Sequence, residues 1–362
     1  MIMWAVIGAI ALSFAISALA TPLSRIVAHR LGMLDIPARH KAHAAPMPLL
    51  GGSAIFAAIL GPGLLALALA RIWAAEGPPE WLPSALAAHV PGAASKALTA
   101  LGILAAAAFL HVVGLIDDRK HLSAWMKLVA QAAAAAFVVV VCDVRVLTAA
   151  GPTVSTAASI IWLVAITNAF NFMDNMDGLA AGVAMICGVA ILAAAATMGQ
   201  VFVSALLCLI VGAVAGFLPY SFPPAKSFMG DAGSLVIGFL LGAASCLTTY
   251  VQPGQTYYLY GIFVPLVVMA VPLYDTVSVV AIRLLERRNP MIGDRRHFSH
   301  RLLQRGMSTR TVVLTIYLCT AATAIAASLL PRVDNAGAVL VFCQTAAVLL
   351  IIAMLEAGGS RT

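Results

Sequence analysis

Residues 168–182 read NAFNFMDNMDGLAAG and place two carboxylates and three carboxamides between long apolar runs at 157–173 and 178–197. Ionisable groups beside membrane segments are costly, so they usually face a cavity, a pathway or a partner charge. If the stretch is helical, its Asn and Asp side chains recur in steps of three and share one helix face. The alternative is a solvated loop that carries a helix cap. The predicted polar stripe consists of Asn168, Asn171, Asp174 and Asp177.

The composition indicates a membrane protein. Hydrophobic residues make up 62% of the 362 residues and charged residues only 10%, against about 25% in soluble domains. The mean hydropathy of +1.01 corresponds to more apolar surface than one soluble core buries. We therefore predict an all-α, polytopic integral membrane protein with one domain over residues 1–362 and about eleven transmembrane helices. The predicted spans lie near residues 2–23, 50–70, 97–116, 124–142, 157–173, 178–197, 201–218, 233–250, 257–284, 311–330 and 336–356.

The basic residues predict the orientation. Only four of the 21 lysines and arginines fall in one set of loops, and the other 17 fall in the opposite set. Basic loops remain in the cytoplasm, so the N-terminus is predicted outside and the C-terminus in the cytoplasm. The net charge of +7 then mostly reflects membrane topology, which argues against a nucleic-acid partner. The four residues in the outer loops are Arg71, Lys96, Arg145 and Arg332.

The polar segments all fall on the predicted cytoplasmic side. Loop charges and helix caps without a common function would not be sorted in this way. The sequence therefore predicts an active site that faces the cytoplasm. The segments are residues 34–52, 114–127, 168–182, 221–235 and 287–306.

Five acids recur in these segments. Carboxylates with few histidines and no cysteines nearby suit Mg²⁺ or Mn²⁺ better than zinc. Magnesium typically takes one or two carboxylates, and the others are free to act as a base or nucleophile. For the adjacent pair, the alternative is a helix cap in a solvated loop. The acids are Asp117, Asp118, Asp174, Asp177 and Asp231.

The segment GDRRHFSHRL, residues 293–302, combines arginine with histidine. This combination suits a phosphate or diphosphate. His297 and His300 are three apart and can share a helix face. The alternative is an ordinary basic flank on the cytoplasmic side.

Two side chains carry weaker signals. Phe228 precedes Met-Gly-Asp and could stack on a base or sugar, although packing at the membrane interface is the commoner role of a lone aromatic residue. Asp275 lies within an apolar run, where an acid is either functional or paired, here with Arg283.

Glycine pairs flank two of the polar segments. Glycine lets a backbone approach a ligand closely, so the pairs Gly51-Gly52 and Gly230 with Gly233 predict N–H groups directed at a phosphate. The sequence contains neither GxxxxGK[ST] nor GxGxxG, which excludes a P-loop and a Rossmann nucleotide site.

Together these motifs resemble the polyprenyl-phosphate N-acetylhexosamine-1-phosphate transferases of glycosyltransferase family 4. The paired-Asp motif matches Asp117-Asp118, the N-x-x-N-x-x-D-x-x-D-G-L motif matches residues 168–179, and Met-Gly-Asp-x-Gly-Ser matches residues 229–234. The resemblance covers all five polar segments and the number of spans.

The resemblance implies a reaction at the cytoplasmic face of a bacterial inner membrane. A UDP-N-acetylhexosamine, with GlcNAc favoured, gives its sugar-1-phosphate to undecaprenyl phosphate or another polyprenyl phosphate and releases UMP. The reaction requires Mg²⁺, the lipid bilayer supplies the acceptor, and a homodimer is compatible with the pattern.

The resemblance also implies roles for single residues. Asp117 is the favoured base or nucleophile toward the lipid phosphate, and Phe228 stacks on the uracil. The implied catalytic residues are Asp117, Asp118 and Asp174. The implied metal ligands are Asp231, Asn171 and Asp174. The implied substrate-binding residues are Lys41, His43, Lys127, Asn168, Asn171, Asp177, Phe228, Arg295, His297 and His300.

The histidine segment helps to choose a branch. Asp294, Arg295, His297 and His300 fit the loop of the sugar-specific transferases, whereas the phospho-N-acetylmuramoyl-pentapeptide translocase carries a triple-histidine segment. The translocase remains the alternative enzyme, and an ion-coupled transporter with acids near mid-membrane is the alternative from another class. The chain departs from the family pattern at two positions, with Asn175 in place of glycine and Ser299 in place of a histidine. The departure at Ser299 bears on the sugar specificity more than on the chemistry.

Overall fold

A computed structural model describes residues 2–36, 46–251, 258–287 and 296–357. This part of the chain is almost entirely helical, apart from a two-residue pairing of β1, Leu34–Asp35, with β2, Met47–Pro48. The helices are α1 Ile2–Leu31, α2 Gly51–Glu76, α3 Ser84–Ala87, α4 Val90–Ser95, α5 Ala97–Lys120, α6 Ala124–Val140, α7 Pro152–Met173, α8 Leu179–Thr197, α9 Val201–Ser221, α10 Gly230–Leu247, α11 Val264–Val268, α12 Ala270–Leu285, α13 Phe298–Gln304, α14 Thr309–Ala327 and α15 Asn335–Ala357.

The number of membrane-length helices is slightly below the predicted eleven. Within the described ranges, nine helices are long and apolar enough to cross a membrane, and the bent pair Tyr260–Val268 with Ala270–Leu285 makes ten. The bend of 66° falls in the run where Pro265 and Pro272 predict a break. The remaining predicted span forms α6, which has only 17 residues. The chain is a multi-pass, all-α membrane protein.

Helix α10 forms the centre of the bundle. Nearly all of its residues are buried, and it packs against α2, α5, α7, α8 and α9. Small residues allow this close packing. A Cβ on Gly238 would lie 2.8 Å from Cα of Thr167 in α7, and a Cβ on Gly114 in α5 would overlap the backbone of Ala232. The polar N-terminus of α10 is thereby fixed against its neighbours.

The outer helices expose large apolar side chains. Leu19 in α1, Leu318 in α14 and Leu340 in α15 are each at least 70% exposed. Helices α1 and α9 pack closely, and Ser13 Oγ donates to Leu209 O at 2.7 Å. An apolar exterior around a tightly packed interior is the arrangement required in lipid.

Candidate active site

The predicted polar segments meet at one end of the bundle, which we call the polar end. Gly51 N at the start of α2 donates to Phe228 O (3.1 Å), and Phe228 N donates to Pro48 O (2.9 Å). Ala225 N donates to Oδ2 of Asp177 at 2.9 Å. These bonds join the first, third and fourth segments, and the contacts below add the other two. The prediction that the segments gather at one end is confirmed for the described residues.

Lys127 lies between two of the acids. Its Nζ is 3.0 Å from Oδ2 of Asp117 and 2.7 Å from Oδ2 of Asp231. Asp117 also accepts a hydrogen bond from Leu122 N at 2.6 Å. The ammonium thus joins α5, α6 and α10, and the side chains of the three ionic partners are 10–24% exposed. This partial exposure leaves the cluster accessible to a ligand.

Asp118 holds the N-terminus of α10. Its Oδ1 accepts from Asp231 N at 2.8 Å and its Oδ2 from Ala232 N at 3.2 Å. A carboxylate is stabilised there by the free N–H groups and the helix dipole. Gly230 has φ +65°, and a Cβ at this position would lie 2.6 Å from an Asp118 carboxylate oxygen. Both carboxylate oxygens of Asp118 therefore fix the backbone beside Asp231.

The predicted polar stripe is not one continuous helix. Helix α7 ends at Met173, Asp174 follows with φ −80° and ψ 43°, and Gly178 adopts a φ of 68°. Residues 174–178 form a non-helical turn, as the alternative of an interhelix loop expected, but Asp174 in this turn is half-buried rather than fully solvated, and no described side chain caps the N-terminus of α8 at the left-handed Gly178. Asp174 and Asp177 consequently lie in a turn and do not continue the face of α7.

The two asparagines remain on α7 and contact neighbouring helices. Asn171 Nδ2 donates to Oγ of Ser234 in α10 at 2.9 Å. Asn168 Nδ2 bonds to Oε1 of Gln131 in α6 and donates to Val164 O at 2.9 Å. Asn171 thus lies next to the helix that carries Asp231, whereas Asn168 links α7 to the helix that carries Lys127.

Asp174 is the least compensated acid of the polar end. Burial raises the pKa of its carboxyl well above the usual range, and the carboxylates of Asp231 and Asp118 raise it further. Within the described part of the chain, no donor hydrogen-bonds to this carboxylate. Repulsion between several close carboxylates is relieved by a proton or a cation.

The donor set fits a hard divalent cation. Asp117 and Asp231 share the ammonium of Lys127, Asp118 accepts from the backbone N–H of Asp231, and Asp174 lies near enough to Asp231 and Asp118 for their charges to raise its pKa. Among the described residues, no three His, Cys, Asp or Glu side chains stand at metal-binding spacing. Carboxylate oxygens are ligands that Mg²⁺ accepts, and this ion needs only one or two of them because waters and substrate phosphates complete its shell.

The histidine segment packs on the turn that follows α7. The His297 ring lies 5.6 Å from the Phe172 ring and 6.5 Å from the His300 ring, centroid to centroid. Ser299 Oγ donates to Oδ1 of Asn175 at 2.6 Å. The fifth polar segment is therefore next to Asp174. The predicted site residues Lys41, His43 and Arg295 lie outside the described residues.

Asp275 contacts the same histidine. Its fully buried carboxylate lies 2.7 Å from His297 Nδ1 and accepts from Phe298 N at 3.0 Å. The sequence identified Asp275 as an acid in an apolar helix but left its role open between function and a pair with Arg283. The signal for its partnership with His297 was the cost of a lone acid in α12.

The expected phosphate-binding role of the glycine pairs is wrong for Gly51 and Gly52. Their N–H groups donate to Phe228 O and Met229 O, so neither is available to a phosphate. A Cβ on Gly233 would lie 2.7 Å from Cα of Gly52. These glycines allow α2 and α10 to touch through their backbones. The side chain of Phe228 is half-buried, and its stacking on uracil stays a prediction.

Comparison with known proteins places this arrangement in a family. A profile described as "Glycosyl transferase family 4" matches residues 100–249, which contain Lys127 and the four acids Asp117, Asp118, Asp174 and Asp231. The chain is 31% identical to a probable undecaprenyl-phosphate N-acetylglucosaminyl 1-phosphate transferase of Bacillus subtilis, over 82% of this chain and 77% of the relative.

Two further relatives differ in how much of the chain they cover. A decaprenyl-phosphate N-acetylglucosaminephosphotransferase of Mycobacterium tuberculosis is 34% identical over 94% of this chain and 86% of its own length. A phospho-N-acetylmuramoyl-pentapeptide-transferase of Limosilactobacillus fermentum is 46% identical, but over only 24% of this chain and 27% of its own. Since relatives above 30% identity align over most of both sequences and the matched profile spans the acids of the polar end, the chain belongs to glycosyl transferase family 4.

Proposed function

We propose that this chain transfers GlcNAc-1-phosphate from UDP-GlcNAc to a polyprenyl phosphate, such as undecaprenyl phosphate, and releases UMP. The observation that carries the proposal is the contact of Lys127 Nζ with both Asp117 and Asp231, beside the uncompensated Asp174. A membrane-embedded acid cluster with one shared cation suits the meeting of a lipid phosphate with a soluble diphosphate. The GlcNAc transferases among the relatives support the choice of sugar.

In the proposed reaction, an oxygen of the lipid phosphate attacks the phosphorus that carries the sugar. A new P–O bond forms, and the P–O bond to UMP breaks. Asp117 removes the remaining proton of the lipid phosphate, and the Leu122 N–H and the Lys127 ammonium hold its carboxylate in place. One phosphoric anhydride replaces another, so the enzyme mainly positions the reactants and shields their charge.

Asp231, Asp174 and Asn171 would hold the Mg²⁺ ion. Asn171 Nδ2 donates to Ser234 Oγ, which leaves its Oδ1 as a ligand atom. When bound, Mg²⁺ neutralises charge on the diphosphate and the departing phosphate. Asp118 acts on Asp231 through the first N–H groups of α10, so its contribution is to position this ligand.

The other substrate contacts surround this cluster. Phe228 stacks on the uracil, and the histidine segment with His297 and His300 faces the diphosphate and sugar. Lys41, His43 and Arg295 lie outside the described residues, and their proposed part in substrate binding rests on the family resemblance alone. The excess of basic residues in the predicted cytoplasmic loops supports an active site on the cytoplasmic face of a bacterial inner membrane.

UMP release from purified protein tests the function. The protein in detergent is supplied with undecaprenyl phosphate and Mg²⁺, and with UDP-GlcNAc, UDP-GalNAc or UDP-MurNAc-pentapeptide in turn. We expect release with UDP-GlcNAc and its loss in EDTA. Release with the pentapeptide donor alone would move the chain to the translocase branch, and no release with any donor would reject the proposal.

A further inference from the structure

Three consecutive residues at the start of α13 are tethered to other parts of the site. His297 Nδ1 lies 2.7 Å from Asp275 Oδ2, Phe298 N donates to Asp275 Oδ1 at 3.0 Å, and Ser299 Oγ donates to Asn175 Oδ1 at 2.6 Å. Phe298 and Ser299 are fully buried and His297 is 6% exposed. The segment is thus held between α12 and the turn that carries Asp174.

Asp275 uses both carboxylate oxygens on this segment. A buried carboxylate in a membrane helix is costly unless donors compensate it. The Phe298 N–H is a donor by nature, so this carboxylate already acts as an acceptor there. The other carboxylate oxygen of Asp275 also needs a donor, and this favours the tautomer of His297 that carries a proton on Nδ1. That leaves Nε2 as the ring nitrogen of His297 that does not face Asp275.

We propose that Asp275 is a positioning residue that fixes the tautomer and ring orientation of His297, so that Nε2 contacts the donor substrate. The inference rests on the proposed function for the identity of that substrate, a UDP-activated sugar. Asp275 does not touch the substrate itself. Carboxylates that orient a functional histidine through its second nitrogen typically account for 10–100-fold in affinity or activity at metal sites.

The bond between Ser299 and Asn175 provides the second tether. These are the two positions at which the sequence departs from the family pattern, and the structure joins them directly. Asn175 also donates from Nδ2 to Phe172 O at 2.6 Å, so its side chain is fixed in turn. The hydrogen bond between Ser299 and Asn175 holds the histidine segment against the turn that carries Asp174. It thereby keeps the Asp275–His297 contact beside the acids of the polar end.

The substitution D275N tests the proposal with little change of shape. A carboxamide at this position accepts the Phe298 N–H with its oxygen and presents its NH₂ group to His297, which drives the ring proton from Nδ1 to Nε2. We expect kcat/KM for UDP-GlcNAc to fall by about 10–100-fold, while the melting temperature in detergent changes little. The matched control T276V, at the next position of α12, removes only a hydroxyl that bonds to Pro272 O and should leave activity unchanged.

A double-mutant cycle separates positioning from a merely structural role. If Asp275 acts through His297, the double variant D275N/H297Q should be no less active than H297Q alone. Additive losses in the double variant would show that Asp275 acts independently of the ring, and would overturn the proposal.

Nitrogen-15 spectra of histidine-labelled protein give a readout without turnover. In alkaline buffer, where imidazoles are neutral, His297 is assigned by its absence in H297Q. We expect its proton on Nδ1 in the wild type and on Nε2 in D275N. A proton already on Nε2 in the wild type would overturn the positioning role. Should the wild type release no UMP, the proposed function fails, and the spectra still decide the contact.

Discussion

The two ends of the helix bundle differ in how far apart in the sequence their charged residues and the partners of those residues lie. At the polar end, ionic contacts and capping bonds join residues far apart in the sequence, such as Lys127 with Asp231 and Asp118 with the backbone of Asp231, 104 and 113 positions apart. At the opposite end, Arg145 pairs with Asp143, two positions away. The charges of the polar end therefore help to specify how the helices assemble, whereas this pair at the opposite end is local.

The opposite end also carries an apolar cavity of about 330 Å³. It lies between the second half of α2, α4 and the first halves of α5 and α9. Small side chains such as Ala66 and Ala93 make up half of its lining, and larger ones such as Leu104 and Phe202 make up the rest. Packing at this end is looser than around the glycine contacts of the polar end. The comparison teaches that the long-range ionic and capping contacts lie where the chemistry is proposed, whereas the opposite end holds a local ion pair and an apolar cavity.

The largest expected effect is a difference in turnover between two variants, one with a carboxylate removed at the polar end and one with a carboxylate removed at the opposite end. D231N removes a partner of Lys127 and a proposed metal ligand, so turnover should fall by at least ~10²-fold, the scale of a lost charge-stabilising group. D143N changes an acid whose side chain is 75% exposed and should leave turnover unchanged. UMP release by both variants provides the measurement, and near-normal turnover in D231N would contradict the assignment.

The second prediction concerns the uncompensated charge of Asp174. Mg²⁺ should raise the melting temperature of the wild type, because a ligand present at 100 times its Kd stabilises the folded state by about 2.7 kcal/mol. D174N should lose most of this stabilisation, and D143N should retain it. Thermal unfolding in detergent with and without Mg²⁺ measures the difference. An equal Mg²⁺ effect in D174N and the wild type would exclude Asp174 as a ligand.

The smallest expected effect compares two glycines. In G52A the new methyl group overlaps the backbone of Gly233, and overpacking of this kind costs about 1–3 kcal/mol. In G8A the new methyl group meets nothing within 4 Å, and alanine is favoured over glycine in a helix interior by roughly 0.5–1 kcal/mol. Melting temperatures should fall for G52A alone. Equal values for the two variants would mean that α2 and α10 can separate without cost.

The sequence predicted the features that depend on local composition. Apolar runs predicted every long helix, and Pro265 with Pro272 predicted the break between α11 and α12. Loop charges predicted which segments gather at the polar end. The apolar run at 124–142 did not predict that α6 would have only 17 residues. The features that were predicted follow from the cost of polar groups in lipid, which acts on each segment separately.

The sequence did not predict which partner each polar group would find. The sequence did not predict that the carboxylate of Asp118 would accept from the first N–H groups of α10, and its expected role in catalysis stays a prediction. For Asp275 the sequence left function and a pair with Arg283 open and did not predict its contact with His297. The stripe over residues 168–177 is not continuous because α7 ends at Met173 and a turn over residues 174–178 precedes α8, a break that three-residue periodicity alone does not reveal. Partners more than a hundred positions apart depend on the tertiary packing of small residues.

The short helix α6 affects the surrounding bilayer. At 1.5 Å per residue, its 17 residues extend about 26 Å, several ångströms less than the ~30 Å hydrocarbon core of a typical membrane. Such hydrophobic mismatch is met by local thinning, at fractions of a kcal/mol per ångström. Because Lys127 lies in the first turn of α6, we expect thinning at this helix to bring lipid headgroups closer to Asp117 and Asp231. UMP release in bilayers of different thickness would then depend on that thickness.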